Sequence, residues 1–204
     1  MTLKPLSSLI TTSQMDPSSQ TSKPPIESGV LTLSLSVQQA ALVKMQDESI
    51  SPLQRTTMIE DGVSSLVRLE GKYNKDFELM SYTIAGKPSL ENLMKAYKLV
   101  QTGMVPLPLS ELDQRLTAMA MVLTIPQSFG AKQLATKREI LANKLADYPA
   151  DIVIRAIGYI ERNVKFWPAL SEFINDADIA WMTRPRKIMS DELHKCIARH
   201  HQIS

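Results

Sequence analysis

A chain of 204 residues, 44% of them hydrophobic, can bury a real core, and its 23 basic and 21 acidic residues leave a net charge of only +2. Any nucleic-acid contact must therefore rest on a local patch. Seven glycines and 5% aromatics speak against a many-stranded β-fold, which needs tight turns and large pleat-filling side chains.

Residues 1–28 are rich in Ser, Thr, Gln and Pro, with Pro17 and the pair Pro24-Pro25. Such a segment buries too little apolar surface to offset the entropy of ordering it, and it is expected to be a disordered tail. It also lacks an uninterrupted apolar signal-peptide core. Leu31, Leu33, Leu35 and Val37 then alternate with polar residues, which suits a strand, while Ser36 could equally cap a helix through Ala40 and Val43. Ser51-Pro52 reads as a cap and first-turn proline, opening a helix with Ile59, Val63, Leu66 and Tyr73 near one face. Phe77 to Ala85 has no clear period. Ser89 caps a further helix carrying Leu90, Leu93, Met94, Tyr97 and Val100 at offsets of three and four, closed by Gly103.

The second half has the clearest pattern. Ser110 and Asp113 are expected to start a helix with Leu112, Leu116, Met119, Ala120 and Leu123 inward. Helices over about 131–146 and 150–163 follow, the latter with Ile152, Val153, Ala156, Ile157 and Ile160. Pro168 opens another, in which Leu170, Phe173, Ile174, Ala177 and Trp181 align, so Trp181 is expected in the core. Thr183-Arg184-Pro185 is expected to end it, with Pro185 beginning a last helix through Met189, Leu193 and Ile197. The expected fold class is all-α: a compact helical bundle with a disordered N-terminal tail. The divisions are 1–28 for the tail, 29–104 for a helical N-terminal region and 105–204 for a C-terminal helical bundle.

Few arrangements suggest chemistry. The single cysteine, Cys196, excludes an intramolecular disulfide and makes a reducing compartment the default. His194 and Cys196, two apart on a helix, point in different directions. No glycine-rich loop precedes a helix and no nucleophile elbow is present, so no enzyme, metal or cofactor is expected. No apolar run nears the roughly 20 residues that span a bilayer, and the expected location is cytoplasmic, without membrane contact. The most basic stretch holds Arg184, Arg186, Lys187, Lys195 and Arg199 against Asp191 and Glu192. An ordinary solvated face accounts for it, and so does phosphate contact. With Pro185 starting the helix, Arg186 and Lys187 fall in its first turn, where the dipole disfavours cations. On that ground Arg184, Arg186 and Lys187 are the candidate contacts to single-stranded DNA.

The segment Asn163-Val164-Lys165-Phe166-Trp167-Pro168-Ala169-Leu170-Ser171-Glu172-Phe173 is sharper. A helix leaves through a polar exit, meets two aromatics and restarts on a proline, so the aromatics can wedge two helices at a fixed angle. This turn resembles the aromatic-proline turn of phage replication proteins that load the replicative helicase, at Asn163, Phe166, Pro168, Glu172 and Phe173. The resemblance covers roughly 145–190. It implies a phage DNA-replication accessory protein with no catalytic residues of its own. Its implied partner is the replicative helicase or another replication protein, near single-stranded DNA, and its implied partner-binding residues are Phe166, Trp167, Pro168 and Glu172. Of the two aromatics, Trp167 is expected to be the exposed one. The rival assignment is a scaffold or adaptor of a phage particle.

Overall fold

The computed structural model describes residues 33–176 and 178–203, without the side chains of 175, 176 and 203; the expected tail lies outside them, as does Leu31. Among the described residues there are eight helices and one two-stranded sheet. The protein is thus largely helical, and the all-α expectation is corrected by the sheet.

Helix α1 (Leu35–Met45) resolves the early alternation in favour of a helix, with Ser34 rather than Ser36 at its N-cap. The run Gln38-Gln39-Ala40-Ala41-Leu42 is a helix-forming stretch that outweighs four alternating positions. Helix α2 (Pro52–Ser64) starts as expected. Ser51 Oγ accepts from Gln54 N–H at 3.3 Å while Gln54 Oε1 accepts from Ser51 N–H at 3.0 Å, a reciprocal capping box that satisfies two orphan donors.

Strands β1 (Arg68–Tyr73) and β2 (Leu79–Ala85) follow, paired antiparallel with Gly71 opposite Tyr82. Their turn is organised by Asn74, whose Oδ1 accepts from the N–H groups of Asp76 and Glu78 at 2.9 and 2.8 Å, as asparagine does in tight turns. Phe77 at its tip takes a positive φ of 59°.

Helix α3 (Leu90–Thr102) is capped by Ser89 and buries Leu93, Ala96, Tyr97 and Val100. It stops at Gly103, where a Cβ would lie 2.2 Å from Ile59 Cδ1, so any larger residue there requires the Ile59 side chain to move. Helix α4 (Leu109–Val122) begins behind Pro108 without a side-chain cap, a residue before the expected Ser110 start. Helices α5 (Ala131–Leu145) and α6 (Ala150–Asn163) match the sequence pattern. The chain then makes α7 (Leu170–Asp176) and the long α8 (Ile179–Ile203), which runs through Pro185.

Two departures at α7 and α8 share a cause. Asp178 adopts φ 54°, so the helix after Pro168 ends there and α8 starts on a new rotational phase. Counted from Ile179, the buried positions Met182, Arg186, Met189, Leu193 and Ile197 form a regular stripe of three and four, with Thr183 buried beside it. Trp181 falls off that stripe and is 55% exposed, which corrects its expected place in the core. Pro185 removes one intrahelical donor without stopping the helix.

The apolar side chains form two clusters. One gathers α4, the ends of α5, α6, Trp167 and Phe173, with Ile179 and Met182 from the start of α8. The other gathers α2, α3 and the sheet with Met189, Leu193 and Ile197 from the rest of α8. Helix α8 therefore serves both cores, and the described residues fall in one compact unit. No helix among the described residues is long and apolar enough to cross a membrane.

Candidate functional site

Between the two clusters lies Arg186, 0% exposed. Its guanidinium spends all five donors inside the protein. Nε donates to Thr56 Oγ1 at 2.9 Å, and Nη1 to Gly103 O at 2.7 Å and Asp151 Oδ1 at 2.9 Å. Nη2 donates to Pro52 O at 2.9 Å and Asp151 Oδ2 at 2.7 Å. The fork of a guanidinium fits a carboxylate in this two-pronged way, and the two carbonyls with the Thr56 hydroxyl take what remains. Arg55 approaches the same carboxylate, with Nε 3.3 Å from Asp151 Oδ2 but out of hydrogen-bond alignment, and its Nη2 donates to Asp47 O at 2.9 Å. One carboxylate thus faces two buried guanidinium groups where α2, the end of α3, α6 and α8 meet. The expectation that Arg186 contacts DNA is corrected: no donor is left for a phosphate, and the residue sits mid-helix rather than in a first turn. Its neighbours differ. Arg184 and Lys187 are exposed, Arg184 reaching Met80 Sδ at 3.8 Å and Lys187 Nζ lying 5.8 Å from the Tyr148 ring centre.

The α6–α7 turn is the second place where expected site residues gather. Trp167 is 8% exposed and joins the first core, whereas Phe166 is 54% exposed; the roles expected of the two aromatics are exchanged. The backbone explains the exchange. Thr124 N–H donates to Lys165 O at 2.9 Å and Trp167 N–H to Thr124 O at 3.1 Å, a short parallel bridge between Thr124 and Phe166. Neighbouring residues in an extended segment point to opposite faces, so fixing Trp167 inward turns Phe166 outward, where Lys165 Nζ stands 5.6 Å from its ring centre. Pro168 is buried and Glu172 exposed. Glu172 Oε2 accepts from Ala169 N–H at 2.7 Å, closing the first turn of α7 in the manner of an N3 glutamate. Of the four expected partner contacts, Phe166 and Glu172 reach the surface, while Trp167 and Pro168 support them from below.

Helix α6 presents its one polar edge beside this turn: Arg155, Tyr159, Arg162 and Asn163 are exposed, and nearly everything else on the helix is buried. The Arg162 guanidinium lies back over Gly158, 3.5 Å from where a Cβ would stand. Sequence reading passed over this edge because attention to the apolar stripe leaves the opposite residues as generic surface. Among the described residues no group of three or more His, Cys, Asp or Glu side chains could hold a metal ion. Cys196 packs near Glu192, and burial pushes its thiol above the ordinary value, the opposite of what an activated nucleophile needs. His194 lies against Tyr97, their ring centres 6.1 Å apart.

No protein-family model matches the chain, and no curated protein or solved structure matches it either.

Proposed function

We propose that this chain is a non-enzymatic accessory protein of phage DNA replication, of the helicase-loader type, acting by protein–protein contact at the α6–α7 turn. One observation carries the reading: Phe166 stands exposed on a turn whose other aromatic, Trp167, is locked in the core. An exposed aromatic on a rigid base is the kind of residue on which binding energy concentrates, because little side-chain entropy is lost when it docks. The neighbouring edge of Arg155, Tyr159 and Arg162 adds residue types enriched at protein interfaces. Single-stranded DNA is the secondary contact of this reading, through Arg184 and Lys187 without Arg186. Two phosphates give an expected log-affinity against log-salt slope of about −1.4.

The test is co-elution and binding titration with the purified replicative helicase of the phage host. Phe166→Ala should weaken binding by at least about thirtyfold, as for a hot-spot aromatic, while its thermal midpoint stays at the wild-type value. Wild-type protein that does not bind the helicase, or equal binding by both proteins, defeats the reading. The phage-particle scaffold or adaptor is favoured by a different observation: Met121, Val122 and Ile140 on α4 and α5 are exposed apolar side chains, which suits self-association. Ring or chain formation by the purified protein alone would support it.

A further inference from the structure

The hairpin, α8 and Glu60 of α2 line an open pocket of about 280 Å³. Four of its walls are aromatic: Tyr73, Phe77, Tyr82 and Trp181. Three more are carboxylates, Glu60, Asp76 and Glu78. The rings are placed by the sheet. Gly71 stands opposite Tyr82, and the Tyr73 ring folds over it, 3.0 Å from where a Cβ would be, so the missing side chain lets two tyrosines share one face. Tyr82 is buried and its hydroxyl donates to Glu60. Phe77 is held at the hairpin tip in the left-handed region, which a bulky side chain rarely adopts, and is 89% exposed. A strained backbone that displays an apolar ring to solvent points to use of that ring.

None of the three carboxylates forms an ion pair among the described residues; Glu78 accepts only from Asn74 Nδ2 at 3.0 Å, and Glu60 only from Tyr82. Arg184 is the one cation on the wall, and its hydrogen bond goes to Met80 Sδ. Three carboxylates against one guanidinium leave the pocket negative in a protein whose net charge is positive.

We infer that this pocket is an aromatic–acidic cage that receives an arginine side chain from a basic segment of a protein partner. Ring faces attract a cation through their quadrupole, and a carboxylate beside them adds direct charge attraction. A planar guanidinium uses both at once, stacking on the Trp181 or Tyr73 face while its N–H fork meets a carboxylate. A lysine ammonium, more strongly hydrated and without the fork, uses them less well. The inference stands apart from helicase binding, since it rests on different residues.

The test uses the full chain and a fluorescein-labelled nona-arginine peptide, followed by anisotropy, with nona-lysine as the charge-matched comparison. Saturable binding is expected, with arginine preferred over lysine. Trp181→Ala and the pair Asp76→Asn/Glu78→Gln should each weaken it by about tenfold. All these side chains except Glu78 lack a hydrogen bond that the fold depends on, and circular dichroism melts verify that the variants are folded. Absence of saturable binding, equal affinity for lysine, or affinity unchanged in both variants overturns the cage.

Discussion

Asp151 carries more of this fold than its place in an apolar helix suggests. Its carboxylate is shared by Arg186 and Arg55, and its side chain is 3% exposed. Removing one partner of a buried ion pair strands the other charge away from water, which costs about 3–5 kcal/mol. Asp151→Ala should therefore lower the thermal midpoint by roughly 10 °C for a unit of this size, whereas exchanging Arg186 for methionine should cost less, since Asp151 keeps Arg55. Differential scanning calorimetry of the two variants checks the order, and equal losses would show that the carboxylate is not the hub. Trp167 offers a second contrast at this scale. Its truncation to alanine should cost about 3–5 kcal/mol, as for a large buried aromatic, while the adjacent Phe166→Ala leaves stability unchanged. Denaturant titration of both variants separates support from surface.

At the scale of elements, sequence legibility followed the strength of local grammar. Helices α2 and α3 were readable because Ser51 and Ser89 cap them, and α6 because its apolar stripe is dense and regular. The hairpin was not: β1 is exposed at five of its six residues, so no one-sided alternation marks it as a strand, and pairing with β2 rather than burial defines it. The register of α8 was lost for another reason. Its phase is set by the positive φ of Asp178, a backbone event with no strong residue signature, and Pro185 looked like a terminator. A helix begun at Pro185 puts Arg186 in a first turn, and a helix continued from Pro168 puts Trp181 on its apolar face; the observed phase reverses both. The α6–α7 turn stands out in the sequence, but which of its aromatics faces outward does not, because the Thr124 bridge sets it; the Trp181 pocket depends on a hairpin that the sequence does not mark. Pro185 gives an element-scale test. It cannot donate to the carbonyl of Trp181, and an interior helical proline costs up to about 3 kcal/mol. If α8 runs through as one helix, Pro185→Ala should keep the helical signal and raise stability by about 1–3 kcal/mol. A lower melting temperature would mean that the proline marks a necessary bend.

The whole molecule is joined by α8, since Ile179 and Met182 pack in one core, Met189, Leu193 and Ile197 in the other, and Arg186 sits at the seam. Neither core can complete itself without this helix. Arg186 also ties α2, the end of α3 and α6 to it through hydrogen bonds to Thr56, Pro52, Gly103 and Asp151. Pulling α8 away would expose apolar surface in both clusters and break the buried Arg186–Asp151 pair, so opening one core alone should be nearly as costly as unfolding both. Native-state hydrogen exchange reads this directly. The slowest amides of α3, in one core, and of α6, in the other, should report the same opening free energy and respond equally to denaturant, as members of one cooperative unit do. Asp151→Ala weakens the seam without touching the apolar contacts, and there the two sets should separate, α3 opening at a different free energy from α6. Separate values already in the wild-type protein would mean that the cores unfold independently and that α8 merely passes through both.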